Sequence, residues 1–262
     1  MTHIRRGDDF KTSWPQRWPS ERRFYFGMTV ALAAAVLLGY SRSFFLRHWF
    51  PQWAGAHAPQ EPYFYYFHGM LFAAWFLLLM VQASLVSAGR VDLHRRLGWF
   101  GAALAAAMVP AGLAAAMIAA RRPTGFVDVP LPPLEFLPTP LTDIMLFGAF
   151  VLLAVTQRCD PQCHKRYLLF ASFSLVGAAI ARWPFDIMAV ELPGRYYDMS
   201  DVFIYLFLAA LVVWDLYSRR RLHPVTLKGG LVLIAVPPFV HLIGASSAWL
   251  EFAGRVIGVP AH

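Results

Sequence analysis

Three times along the chain, a polar residue near one end of an apolar run is followed fourteen residues later by a second polar residue, then by a histidine near basic side chains. The three sets are His68, Gln82 and His94; Asp143, Gln157 and His164; and Asp201, Asp215 and His223. Fourteen helical residues rise about 21 Å over nearly four turns, so each pair lies on roughly one face, near opposite edges of a bilayer core. Polar groups inside a membrane segment are costly, which makes the recurring spacing the skeleton of a polar interior.

Two groups of candidate residues follow. The first gathers His94, His164 and His223, with Asp215, Gln82 and Gln157 beside them. Neutral imidazoles and a carboxylate suit a zinc, copper or iron ion, and His94 with His164 also suits the two faces of a haem b. The competing reading is a basic cluster that meets lipid headgroups. The second group is His68, Asp143, Asp201, Arg182 and Asp186, with His241 nearby. It reads either as a proton, cation or ligand site or as ion pairs between helices, Arg182 being the natural partner of the carboxylates. His241 follows Pro237 and Pro238, whose missing N–H groups open the helix ladder; it reads either as a packing residue or, with His68, as an outer haem pair that would match His94 and His164. Cys159-Asp-Pro-Gln-Cys163-His164 is the C-x-x-C-H haem-attachment pattern with one extra residue, or a thiolate site for a soft metal. Phosphate-loop, zincin and esterase-elbow patterns are missing from the chain.

The elements that must carry these residues are membrane helices. Of 262 residues, 58% are hydrophobic and 15% charged, too few charges for the surface of a soluble domain this long. Apolar runs cover about 24–41, 63–88, 95–119, 141–157, 165–183, 200–217 and 229–250, giving an all-α, seven-helix polytopic protein. The recurring spacing groups them as three helical hairpins plus one extra helix. One side of the membrane then receives 16 Lys and Arg against 6 acidic residues and the other 7 against 9, so +10 opposes −2. The positive-inside rule places the N-terminus in the cytoplasm of a bacterial inner membrane. The basic residues lie between apolar runs, so the net charge of +8 reflects topology and contact with the lipid bilayer, with no nucleic-acid partner.

Residues 1–23 read as a retained cytoplasmic tail, 24–250 as the transmembrane domain and 251–262 as a short external tail. Asp92 and Asp160 stand where each caps a helix N-terminus, with Pro161 at the first helical position. Pro123, Pro130, Pro132, Pro133, Pro138 and Pro140 predict an extended cover over the outer ends of the bundle.

His68-Gly-Met-x4-Trp75-x6-Gln82-x7-Arg90-Val-Asp-Leu-His94-Arg-Arg-Leu-Gly98, together with His164-Lys-Arg-Tyr-Leu-Leu and Ala-Ala-Ile-Ala-Arg182-Trp-Pro, resembles uncharacterised bacterial multi-pass membrane proteins with a Leu-His-Arg-Arg-Leu-Gly signature. That resemblance spans roughly residues 60 to 225 and implies a shared helical bundle. A looser similarity to cytochrome b561-type bundles rests on paired histidines in successive helices, although His94 and His164 stand at helix entries instead of well inside their spans. The residues together point to metal or haem binding linked to membrane redox or metal chemistry. The alternatives are a proton- or cation-coupled small-molecule carrier and a non-catalytic accessory subunit with a partner in a membrane complex.

Overall fold

A computed structural model describes residues 19–51, 62–127, 129–183, 189–192, 195–198 and 200–259. Eight helices of 11 residues or more organise them: α1 (Pro19–Gly39), α2 (Pro62–Ser87), α3 (Val91–Arg121), α4 (Pro138–Thr156), α5 (Pro161–Ile180), α6 (Ser200–Arg219), α7 (Pro224–Gly244) and α8 (Ser247–Ile257). Proline opens α1, α2, α4, α5 and α7, at the position where a missing N–H costs nothing. Short connections at 88–90, 157–160 and 220–223 turn the chain at one end of the bundle, called here the basic end. Residues 122–127 and 129–137 lie at the other, proline-rich end.

Local chemistry sets these turns. Gly89 takes φ +75°, and Arg90 N–H donates to the Leu85 carbonyl at 2.8 Å while Gly89 N–H donates to Val86 at 3.1 Å, a left-handed helix terminus that glycine adopts without strain. At the start of α5 the Asp160 carboxylate accepts from the backbone N–H of Gln162 and Cys163, at 2.8 and 3.3 Å, so the cap anticipated there is present. Asp92 does not cap α3. That helix begins one residue earlier, at Val91, which leaves Asp92 in the first turn facing Arg90 at 4.0 Å.

Six helical segments are long and apolar enough to cross a bilayer, those of α1, α2, α3, α4, α6 and α7. Their outward faces carry Leu37, Leu77, Leu152, Leu206, Val213, Leu231 and Leu242, each more than half exposed. Such a coat would aggregate in water and is matched to lipid, which marks a multi-pass membrane protein. The remaining long helix, α5, packs against α1, α4, α6 and α7. Its Leu169, Phe170, Phe173, Val176 and Ile180 are fully buried with Leu32, Phe147 and Leu211. Two backbones approach it closely: a Cβ on Gly39 would overlap the Ala179 carbonyl, and one on Gly229 would come within 2.6 Å of the Phe170 ring.

Three features depart from the sequence reading. The α5–α6 connection contains a two-stranded antiparallel hairpin, Ala189–Leu192 with Arg195–Asp198, pairing Ala189 with Asp198. The proline-rich segment is only partly extended, because Pro133 opens a helical turn (Pro133–Phe136) and Pro138 opens α4, both at positions that tolerate proline. The last apolar run ends at Gly244. Ser246 then caps α8 by accepting from Trp249 N–H at 3.3 Å, so the chain turns into a separate amphipathic helix where a plain external tail was anticipated. Ala253 and Ile257 of α8 pack on Ala116, Ala120, Leu134 and Leu137, while Phe252 and Val256 face outward.

Candidate functional site

The proline-rich end holds two adjoining cavities. The larger, about 300 Å³, lies between α1, α2, α3, α4 and α5 and is lined by His68, Asp143, Arg47, Arg122 and Arg182 among aromatic and aliphatic side chains. The smaller, about 190 Å³, lies between α4, α5, α6 and α7 and is lined by Asp143, Arg182, Asp201, Tyr205 and His241. Asp143, Ala178 and Arg182 belong to both walls, so the two spaces meet at α4 and α5.

Several of these side chains are held in place by identifiable contacts. The His68 ring packs 4.1 Å from that of Phe72, and its Nδ1 is buried without a hydrogen-bond partner. Arg182 donates to the Ala178 carbonyl at 2.5 Å and lies 5.5 Å over the Tyr40 ring. Arg122, at the end of α3, donates to the Tyr65 hydroxyl and stacks 4.6 Å over the same ring. Tyr65 in turn donates to the Ala115 carbonyl at 3.2 Å.

At the basic end, His94 and His164 meet with ring centroids 6.3 Å apart, edge to face. His164 donates from Nδ1 to the Ala154 carbonyl at 2.8 Å, which leaves its Nε2 with a lone pair. With its amide oriented to satisfy both neighbours, Gln82 donates to His94 Nδ1 at 2.6 Å and accepts from Gly98 N–H at 2.9 Å. With Nδ1 accepting from the amide, the proton of the neutral His94 ring sits on Nε2.

A few residues away lies a buried ionic network. Arg166 and Asp215 are fully buried and form an ion pair, with Arg166 Nε 3.4 Å from the second carboxylate oxygen. That oxygen also accepts from the Thr226 hydroxyl at 2.5 Å and from His223 N–H at 3.1 Å. Arg166 donates further to the Gln162 carbonyl and side chain, at 2.9 and 2.7 Å, and Gln162 and Lys165 both reach Glu21. The network therefore ties α1, α5, α6 and α7 together. His223 caps α7 through Nδ1, which accepts from Val225 N–H at 3.2 Å. Burial, followed by the Arg166 and Arg219 guanidinium charges, pushes this imidazole down to about 4.

The four residues anticipated as a metal set thus fall into two places: His94 with His164, and Asp215 with His223 in the Arg166 network. Among the described residues, no three His, Cys, Asp or Glu side chains are grouped to hold a metal ion. His68 and His241 line different cavities. The Cys163 thiol donates to Asp160 at 3.2 Å, and Cys159 is exposed. Asp186 lies outside the described residues. Sequence reasoning missed Arg166 and Arg122. The signal for Arg166 was the uncompensated Asp215 inside an apolar run, which requires a cation; for Arg122 none was visible beyond its place at a helix end. Comparison with protein-family models, curated protein sequences and solved structures returned no match.

Proposed function

We propose that this chain is a seven-span inner-membrane carrier of a small organic molecule, with its binding chamber in the outer half of the bundle and proton-linked groups lining it. The observation that carries this reading is the pair of adjoining cavities sharing Asp143 and Arg182, with His68 on one side and Asp201 and His241 on the other. The larger, about 300 Å³, is at the lower end of the roughly 300–1,000 Å³ usual for small-ligand sites, and the smaller adjoins it. Ionisable residues within spans mark ligand or proton paths by default. The Arg166–Asp215 network ties α1, α5, α6 and α7 together at the basic end, opposite the chambers, which suits a carrier open on one side only. In this reading α5 is the seventh span: its polar residues are shielded by four neighbours, so it needs no apolar face toward lipid. The basic end faces the cytoplasm.

The test is Ala178→Trp, which places an indole in the wall common to both chambers. Protein purified in nanodiscs, after exposure to an extract of bacterial metabolites, is expected to retain a small molecule detectable by mass spectrometry; the variant is expected to lose it while eluting as the same folded species. Equal retention by both proteins, or none by either, would rule out a ligand chamber.

A second reading is favoured by the edge-to-face pair His94 and His164: metal or haem binding at the basic end, linked to membrane redox chemistry. An imidazole whose Nδ1 is anchored to a carbonyl, as in His164, is the usual arrangement for a ligating histidine. Absorption spectra and elemental analysis of the purified protein, with His94→Ala and His164→Ala as controls, decide it. A Soret band or stoichiometric metal lost in both variants supports this reading, and an unchanged result removes it.

A further inference from the structure

The larger chamber carries chemistry that narrows its occupant. Three guanidinium groups line it, each over a tyrosine face: Arg47 at 5.3 Å from the Tyr66 centroid, Arg122 at 4.6 Å from Tyr65 and Arg182 at 5.5 Å from Tyr40. Asp143 is the one acidic residue among the described lining, so positive charge outnumbers negative three to one. A cation entering this space meets net repulsion; an anion meets an electropositive well in a low-dielectric wall.

Arg122 makes the argument specific. It is only 8% exposed, its one side-chain hydrogen bond goes to the neutral Tyr65 hydroxyl, and its Nε is buried with no partner. It pairs with no carboxylate among the described residues. A buried guanidinium normally has a counter-ion, because nothing else repays the loss of its hydration. Its contacts with the Tyr65 ring and hydroxyl hold the guanidinium in the chamber wall, where a carboxylate or phosphate would supply the missing counter-charge. The rest of the wall, with Phe44, Phe72, Phe76, Phe126, Ile144 and Leu175, is apolar and offers an anion's body a place to leave water.

We infer that the chamber binds an organic anion with an apolar body, its acidic group held by Arg122 with Arg47 and Arg182 supplying further positive charge. This inference rests on the chamber being a ligand site, as set out above, and adds the class of ligand. The two sources of such an anion are a soluble organic acid and the headgroup of an acidic lipid.

The experiment uses the full chain in phosphatidylcholine nanodiscs and calorimetric titration with three probes of one shape: 2-naphthoate, 2-naphthalenemethanol and 2-naphthylmethylammonium. The anion is expected to bind most tightly and the cation most weakly. Arg122→Gln should weaken the anion roughly 10- to 100-fold, the range for losing a hydrogen bond to a charged group, and leave the alcohol unchanged. Arg122→Lys should recover part of the loss. Unchanged alcohol binding shows that each variant is folded. Replacing part of the phosphatidylcholine by phosphatidylglycerol separates the sources: weakened naphthoate binding assigns the anion to a lipid headgroup, and unaltered binding assigns it to a soluble acid. Equal binding of anion and alcohol by the wild type, or no effect of Arg122→Gln, overturns the anion inference and leaves the chamber intact. If none of the three probes binds, the inference and the chamber reading fall together.

Discussion

Asp215 has both carboxylate oxygens engaged by Arg166, Thr226 and the His223 backbone, a set of donors that accounts for a fully buried charge without a metal. Breaking such a pair strands the remaining charge, so Asp215→Asn should lower the stability of the solubilised protein by about 3–5 kcal/mol. Thermal unfolding in mild detergent measures this. An Arg166→Met, Asp215→Leu double variant should regain much of the loss, because both buried charges leave together; a chelator should have no effect on the wild-type midpoint. His223 adds a pH dependence to the same network. Its folded value of about 4 lies below the ordinary 6.5, so the unfolded chain binds more protons between those two values. Stability is fully present above about pH 6.5 and is lost as pH falls toward 4. Melting curves from pH 7 to 4.5 should show a falling midpoint, and His223→Asn, which keeps an acceptor for Val225 N–H without a titrating ring, should flatten that fall. An equal slope in the variant would assign the pH response to other groups.

At the scale of helices, the first six apolar runs each correspond to a helix while the seventh is split between α7 and α8, and the cap at Asp160 and the proline at 161 mark their element correctly. Hydropathy and cap chemistry are local, so these features are legible in a single sequence. The meeting of His94 and His164 was legible too, since both occupy the fourth residue of a helix entered from the basic end. What stayed hidden depends on convergence. Arg166 sits 49 positions from Asp215, next to Lys165 in a helix entry, and reads there as another headgroup contact until α1, α6 and α7 close around it. Arg122 likewise becomes a buried cation only because Tyr65, 57 positions earlier, lies under it. The α8 helix was hidden for a different reason: its apolar residues continue the run of α7, and the break rests on backbone geometry at Ala245 and Ser246 that composition does not report.

The whole molecule is polarised. One end carries the Arg90, Arg158 and Arg219–Arg221 turns together with the buried Arg166 network; the other carries the cavities, the proline-rich segment between α3 and α4, and α8, whose outward Phe252 and Val256 suit it to lie in an interface. Charge asymmetry of this kind sets orientation during insertion, so the basic end should face the cytoplasm, and the chambers then open toward the outside. Two native cysteines make the test direct. Cys159 is exposed in the 157–160 turn, while Cys163 is partly covered and bonded to Asp160. In a Cys163→Ser background, a membrane-impermeant maleimide added to intact spheroplasts should leave Cys159 unmodified, and the same reagent should label it once the membrane is permeabilised. Labelling before permeabilisation would invert the molecule. It would place the chambers on the cytoplasmic side, and it would bring Cys159, Cys163 and His164 to the face where covalent haem attachment takes place.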